Sequence, residues 1–473
     1  MFAAFSALSA RGRGAARLAA ATLASGLAAV TVLAGTAAAA PAADTTAPSQ
    51  GGATATIGGL KTYGGAVVHT DSGDQEISAG LFEMSVDGGG MLQTYCVDIH
   101  NPTQRDAKYH ETPWSGTSLG ANEDAGKIRW ILQNSYPQVN DLAALAAKAG
   151  FKGGLTEQDA AAGTQVAIWR YSDGVEVDAV DPQAEKLADY LEKSARGVAE
   201  PEASLTLEPP AVSGHAGERL GPVTVRTDAD GVTLTPPADA ATSGVRIVDK
   251  DGKVVTTAAN GAQVFFDVPE DAADGQAELT VQASTTVPVG RAFAAESRSQ
   301  TQILAGSSES TVSATASATW AETGAIPALS AAENCDKGGV DITAANEGDA
   351  PFTFELLGIE YSIAAGESRT VTVPLQEDQA YDFTIEGPGF EKRFTGVLDC
   401  MTQAGEADAA GTVTQTLDEP SPATVGSASD DTNLAATGGS SMTPLIAGVA
   451  IGFVVLGGAA LVIVRKREAS AQD

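Results

Sequence analysis

Basic residues are scarce: 28 Lys and Arg stand against 60 Asp and Glu among 473 residues, for a formal net charge of −32 and an isoelectric point near 4.3. That balance excludes a nucleic-acid partner, whose phosphates the chain would repel, and suits a protein kept soluble at a surface. Aromatic side chains are 5% of residues and His occupies 4 positions. A P-loop, a hydrolase-type serine motif and paired metal-ligand spacings are all missing, so neither a cofactor nor a metal is expected. Cysteine is rarer still, with Cys96, Cys335 and Cys400 the whole complement. If two of them pair, one is left over, and the question is what an odd cysteine does.

The two ends point outside the cell. Arg11, Arg13 and Arg17 precede an uncharged stretch over 18–40 that closes on small residues, the pattern of a secretory signal. Pro41 disfavours a cut directly after Ala40, so cleavage is expected between Ala39 and Ala43, and 1–42 is assigned to the signal peptide. Residues 445–464 carry no charge, and as a transmembrane helix rising about 1.5 Å per residue they would span roughly 30 Å of hydrocarbon. Arg465, Lys466 and Arg467 would hold that end inside. Just before the span stands LAATG, made of Leu434, Ala435, Ala436, Thr437 and Gly438. Pentapeptide, span and basic tail, together 434–473, resemble the LAxTG form of the sorting signal of Gram-positive cell-wall proteins. The resemblance implies a class E-type sortase that cleaves between Thr437 and Gly438 and joins the Thr carboxyl to peptidoglycan. A plain single-span membrane anchor is the other reading.

Between the ends the texture of the chain changes twice. Residues 44–55 are small and polar and read as a disordered leader. Over 56–197 strands and helices mix. LFEMSV and MLQTYCVDI are strands joined by a GGG turn. NEDAGKIRWILQNSY, NDLAALAAKAG, TEQDAAAGTQVAIWRYSDG and DPQAEKLADYLEKSARG are helices, three opening on Asn or Asp and the third on Thr156, with Asp159 in a capping-box relation. Over 201–321 short Val/Thr/Leu runs separated by Gly, Pro and Asp predict an all-β, Ig-like sandwich, with Asp251-Gly252 as a hairpin signal. A second all-β unit, 330–402, is bracketed by Cys335 and Cys400, which in an oxidising compartment most simply form a disulfide. Residues 403–433, almost free of large apolar side chains, read as a disordered stalk. The fold class is therefore multidomain: an α+β head, two all-β units, a stalk and one C-terminal transmembrane helix.

That leaves Cys96. Strand alternation puts Tyr95, Val97 and Ile99 on one face and Thr94, Cys96 and Asp98 on the other, so Cys96 is expected to point away from the more apolar side. On the third helix Gln165 lies four residues after Ala161 and just before Ile168 and Trp169, on a largely apolar stripe. A glutamine there is a satisfied buried amide or a reactive one.

TYCVDI followed by TQVAIW resembles the two signature segments of the Gram-positive thioester-domain, or TQXA, surface proteins. The match covers 56–197, and the β units and anchor suit the family's layout. It implies that Cys96, after Tyr95, and Gln165, after Thr164, form an internal thioester. A thiolate attacks the carboxamide carbon, ammonia leaves, and the acyl thioester later acylates an amine such as a lysine. The protein is then an adhesin used once, not an enzyme, and its partner is an amine-bearing target on a host, neighbouring cell or substratum. Tyr95 and Trp169 are candidate shields against water, with core packing as their plainer role. Asp98, His100 and His110 are candidates for proton transfer.

Two other readings compete. One is a cysteine hydrolase or transglutaminase-like enzyme with His69, His100 or His110 as base; against it, Cys96 lies mid-strand and not at a helix N-terminus. The other is a structural coat protein in which the α/β part is a passive cap. An intramolecular isopeptide bond between Lys250 or Lys253 and Asn260 is a subsidiary expectation, and the pocket around Cys96 is expected to depend on loops such as that at Trp114.

Overall fold

Alternating apolar residues and a run of positive-φ glycines build the sheet that carries Cys96. In the computed structural model, which describes residues 45–46 and 51–402 except 72, 153 and 388–389, this sheet begins with β1 (Thr54–Thr70), β2 (Gly73–Val86), β3 (Met91–Cys96), β4 (Lys108–Thr112) and β5 (Val177–Ala179). Gly88, Gly89 and Gly90 all take positive φ and turn β2 into β3, conformations other residues adopt only under strain. Two further strands come from far down the chain, β6 (Ala292–Ala295) and β7 (Gln302–Ser307). The order is β2-β3-β7-β6-β4-β1-β5, and β1 pairs with β2 as well. Six of the strands therefore close into a ring, which removes most free edges.

Both faces of the ring are apolar. Ile57, Phe82, Met84, Leu92, Phe293 and Leu304 belong to one buried cluster. Leu81, Tyr95, Ala292, Ile303 and Ala305 belong to a second, shared with the helices. The expectation that Cys96 points away from the apolar side is corrected: Cys96 is fully buried in that second cluster. With apolar layers on both sides, alternation no longer marks an inside and an outside.

The helices fall within their expected spans: α1 (Ala125–Asn134), α2 (Leu142–Lys148), α3 (Glu157–Ser172) and α4 (Pro182–Ser194). Thr156 and Asp159 form the expected capping box, and the Asp141 and Asp181 carboxylates cap α2 and α4, each contributing about 1 kcal/mol. Ahead of α1, Asn122 does something else: its amide donates to the Tyr171 and Ser172 carbonyls and ties off the C-terminus of α3. The run Ala160-Ala161-Ala162-Gly163 lets α3 sink into the core, and a Cβ on Gly163 would lie 2.4 Å from the Ala184 carbonyl oxygen of α4.

Residues 205–321 form a five-stranded and a four-stranded sheet whose apolar residues, among them Val223, Val225, Phe266, Leu279 and Val281, join one core. Between the paired strands Gly275–Thr286 and Glu309–Ala321 the chain leaves this unit to contribute β6 and β7 to the head. That corrects two expectations: 201–321 is not one self-contained β unit, and the head sheet is not made within 56–197. Nothing local in AFAA or QILAGS says which sheet they join. The junction is pinned by Glu111, buried at the end of β4, which accepts from the Ala53 and Ser204 N–H groups at 3.1 and 2.9 Å and pairs with buried Arg291 at 2.9 Å.

Gly52 bridges to Ser313, Thr54 opens β1, and Thr45–Thr46 pair with Arg393 and Phe394. These contacts overturn the disordered leader at the described residues 45–46 and 51–55; residues 44 and 47–50 lie outside the described residues. The last unit has strands Pro327–Asn334, Gly339–Asn346 and Glu367–Pro374 in one sheet, a hairpin Phe352–Leu356 with Ile359–Ile363, and a pair Ala380–Gly387 with Phe390–Val397. Cys335 and Cys400 are joined by a disulfide, 65 residues apart in sequence, a closure that contributes about 4 kcal/mol in the chain-entropy account. The signal peptide, the stalk, the LAATG pentapeptide and the apolar span 445–464 lie outside the described residues. Among the described residues no helix is long and apolar enough to cross a membrane.

Candidate functional site

β3 ends at Cys96, and the partner that meets the end of the strand is a side chain. The Cys96 N–H donates to Gln165 Oε1 at 3.1 Å, and Gln165 Nε2 donates to the Cys96 carbonyl at 2.8 Å. The amide thus lies along the Cys96 peptide much as a neighbouring strand would. The same Oε1 is 3.4 Å from Cys96 Sγ. Both residues are wholly buried and Cys96 carries no disulfide. The sixteen-residue α3 supplies Gln165 from its middle, so the amide is held by a rigid element.

Gln165, Trp169 and Asp173 recur at four-residue spacing and face the segment from Cys96 to Ile99. Trp169 is fully buried, and its indole nitrogen has no hydrogen-bond partner among the described residues. Burial pushes the Cys96 thiol well up and Asp173 adds to the shift; the Trp169 N–H acts the other way, and Asp98 raises it further. The thiol is therefore neutral at rest. Asp173 caps the end of α3, accepts from the Ile99 N–H at 2.9 Å and from the Ser172 hydroxyl, and burial lifts its carboxyl to about 7.

The other expected residues divide. Tyr95 is buried and its hydroxyl donates to the Tyr136 carbonyl at 2.9 Å, a tether within the core. Asp98 is buried, accepts from the His100 N–H at 3.0 Å, and is pushed upward by burial and then by Asp399 and Asp173. Burial lowers the pKa of His100, whose Nε2 has no partner among the described residues. His110 is bonded to Thr54 and Glu296, and His69 to Asp74 and Asp178. Among the described residues no histidine is hydrogen-bonded to Cys96, whose side-chain partner is Gln165. Asn260 accepts from the Thr227 N–H at 3.2 Å. Trp114 is packed inward, its indole donating to the Gly290 carbonyl, beside a cleft of about 370 Å³ that also includes Leu119, Asn122 and Glu123. Among the described residues no group of three or more His, Cys, Asp or Glu is arranged to hold a metal ion.

Residues 93–197 match the family model described as the thioester domain. Over those residues the chain is similar to that domain. A second model, the C-terminal domain of bacterial phospholipase C, matches 313–397, from the middle unit into the last. No curated protein matches the chain. Among solved structures, a Bacillus anthracis TIE protein aligns at 16% identity over 66% of this chain and 63% of its own, with a TM-score of 0.26. The thioester domain of the Enterococcus faecium TIE86 protein aligns at 18% identity over 60% of this chain and all of its own, with a TM-score of 0.28. The E. coli chaperone DraB aligns at 13% identity over 41% of this chain and 98% of its own, with a TM-score of 0.17. This chain thus spans less than two thirds of the Bacillus protein.

Proposed function

We propose that Cys96 and Gln165 close an internal thioester and that the protein uses it once, to acylate an amine on a target surface. The observation that carries the reading is the double hydrogen bond between the Gln165 amide and the Cys96 peptide, with Sγ at 3.4 Å from the same oxygen. When Sγ attacks the Gln165 carboxamide carbon, the oxygen that gains charge already faces the Cys96 N–H, a fixed donor of the oxyanion-hole kind. The C–N bond breaks, the thiol proton goes to the departing nitrogen, and ammonia leaves. In the second step an amine nitrogen bonds to the same carbon, the C–S bond breaks, and the proton released by the amine returns to sulfur. Burial protects the acyl group from water between the two events.

The same reading places the protein outside the cell, secreted through residues 1–42 and joined by Thr437 to peptidoglycan by a sortase. Its support is the sequence at both ends, together with the Cys335–Cys400 disulfide, a bond that persists in oxidising compartments. Intact mass tests the chemistry. The untreated protein should lack one ammonia relative to its sequence with one disulfide, methylamine should add to it, and Cys96→Ala should abolish both. An untreated mass equal to that of the plain sequence with its disulfide removes the thioester from the function.

A further inference from the structure

A sealed thioester has to be opened to its amine, and the last unit of the chain is fastened to the segment that would have to move. Asp98 lies two residues after Cys96. Asp399 lies next to the disulfide-bonded Cys400, and Thr301 stands between the two strips: its carbonyl accepts the Val97 N–H at 3.2 Å, and its hydroxyl donates to Asp399 Oδ2 at 3.0 Å. Gln300 extends the link, its amide nitrogen reaching the Asp98 carbonyl at 2.7 Å when the amide is oriented to suit its partners.

The other oxygen of Asp399, Oδ1, is buried with no hydrogen-bond partner among the described residues. An ionised carboxylate in that position is costly, and a proton is what the site lacks. Among the described residues no cation is paired with it. The charges and titratable groups around Asp399 and Asp98 are Asp173, His100 and Tyr109 on the head and Glu377, Asp378 and Glu333 on the last unit, while the nearby Arg298 donates to the Asp378 carbonyl. We propose that Asp399 carries a proton while the disulfide-closed unit is docked through Thr301 onto the Cys96 segment, and that this docking keeps the Cys96–Gln165 pair shut until the proton is lost. The proposal rests on the thioester reading for its consequence, not for its geometry.

The sign follows from burial. Burial and then Glu377 lift Asp399 to about 8, and Asp98 moves the same way. An acid whose pKa is higher when docked than when free contributes docking stability that is complete below the free pKa, about 4, and is lost as pH rises through the docked value. Docking is therefore firmest at acid pH and loosens progressively until the pH passes about 8. Losing it releases Asp399 from Thr301, and with Thr301 the hold on Val97, next to the thioester cysteine.

The test uses the full ectodomain with its disulfide intact and hydroxylamine as the nucleophile, because that amine is uncharged above neutral pH and adds no slope of its own. Adduct formation followed by intact mass should accelerate about tenfold between pH 7 and pH 9 in the unaltered protein, and by less than about twofold in Asp399→Asn, which keeps the shape without the ionisation. Thr301→Val, which cuts the hydroxyl link, should already react fast at pH 7. A flat profile in the unaltered protein, or the same acceleration in Asp399→Asn, overturns the proposal, as does a Thr301→Val rate that matches the unaltered protein.

Hydrogen exchange of segments 97–103 and 398–401, corrected for base-catalysed intrinsic exchange, reads docking without the thioester. Protection should fall at pH 9 in the unaltered protein and persist in Asp399→Asn, and equal protection at both pH values in the unaltered protein overturns the clamp. Absence of ammonia loss with a pH-dependent exchange pattern would sink the thioester and leave the clamp standing.

Discussion

The side-chain amide of Gln165 is bound to the peptide group of Cys96 at both ends, accepting from its N–H at 3.1 Å and donating to its carbonyl at 2.8 Å. One arrangement thus satisfies the end of a buried strand and, on the proposed reading, orients the amide carbon for Sγ and supplies a donor to its oxygen.

Removing that amide has a structural and a chemical cost. Gln165→Ala leaves the Cys96 N–H and carbonyl buried without partners, a loss of about 3 kcal/mol, and the protein should keep its full sequence mass with one disulfide. Urea unfolding and intact mass measure the two effects separately.

Trp169 offers a finer probe. Trp169→Phe keeps most of the packing but removes an indole N–H that, with the Cys96 main-chain N–H, favours the Cys96 thiolate, so the ammonia-free fraction should build up about tenfold more slowly after refolding. Trp169→Ala should cost about 3 to 5 kcal/mol of stability as well, which a denaturant midpoint would register.

Stability should also depend on the Asp173 carboxyl. Its folded pKa of about 7 is raised above the free value of 3.8 by burial, so its contribution is complete below about pH 4 and is lost as pH rises through about 7. Asp173→Asn should flatten that decline between pH 5 and pH 8, seen in urea midpoints across the range, with Ile99 still able to bond to the amide oxygen.

At the junction of head and middle unit, Arg291 and Glu111 form a buried pair with side chains 4% and 0% exposed. Glu111→Gln leaves the guanidinium with only the partly exposed Glu200 carboxylate, 2.7 Å away, as charge partner and should destabilise the protein by about 1.5 to 3 kcal/mol. Both the head and the middle unit should then unfold at lower urea, as tryptophan fluorescence would report.

Replacing Cys335 and Cys400 together by Ser should lower the unfolding midpoint of the last unit, in line with a loss of about 4 kcal/mol. Ammonia loss should remain, because the disulfide takes no part in closing the Cys96–Gln165 bond. Intact mass and urea titration of the same sample decide both points.

Much of the head was legible locally. Caps such as Thr156 with Asp159, and the 3.6-residue stripe that carries Gln165, belong to interactions within one turn or two. The Cys96–Gln165 pair was legible through its two flanking motifs. Asp173 was open to the same reading, since it continues the four-residue spacing from Gln165 through Trp169, but a carboxylate at a helix end reads as a cap. Strands β6 and β7 were not legible, because their sheet is decided by pairing with residues some 200 positions earlier, Gln302 with Cys96 among them. Asp399 was hidden for the same reason: its meaning comes from a neighbour in another unit.

The detour of residues 287–308 through the head also divides mechanical load. If the target is bonded at Gln165 and the chain is held at its far end, tension enters the middle unit by two covalent routes, through the segment after α4 and through β6 and β7. The second route is hydrogen-bonded beside β3 along the register from Leu92 to Cys96. A pull that would peel a head hung on one tether must here also shear β7 from β3, and shear loads the hydrogen bonds together where peeling breaks them one at a time.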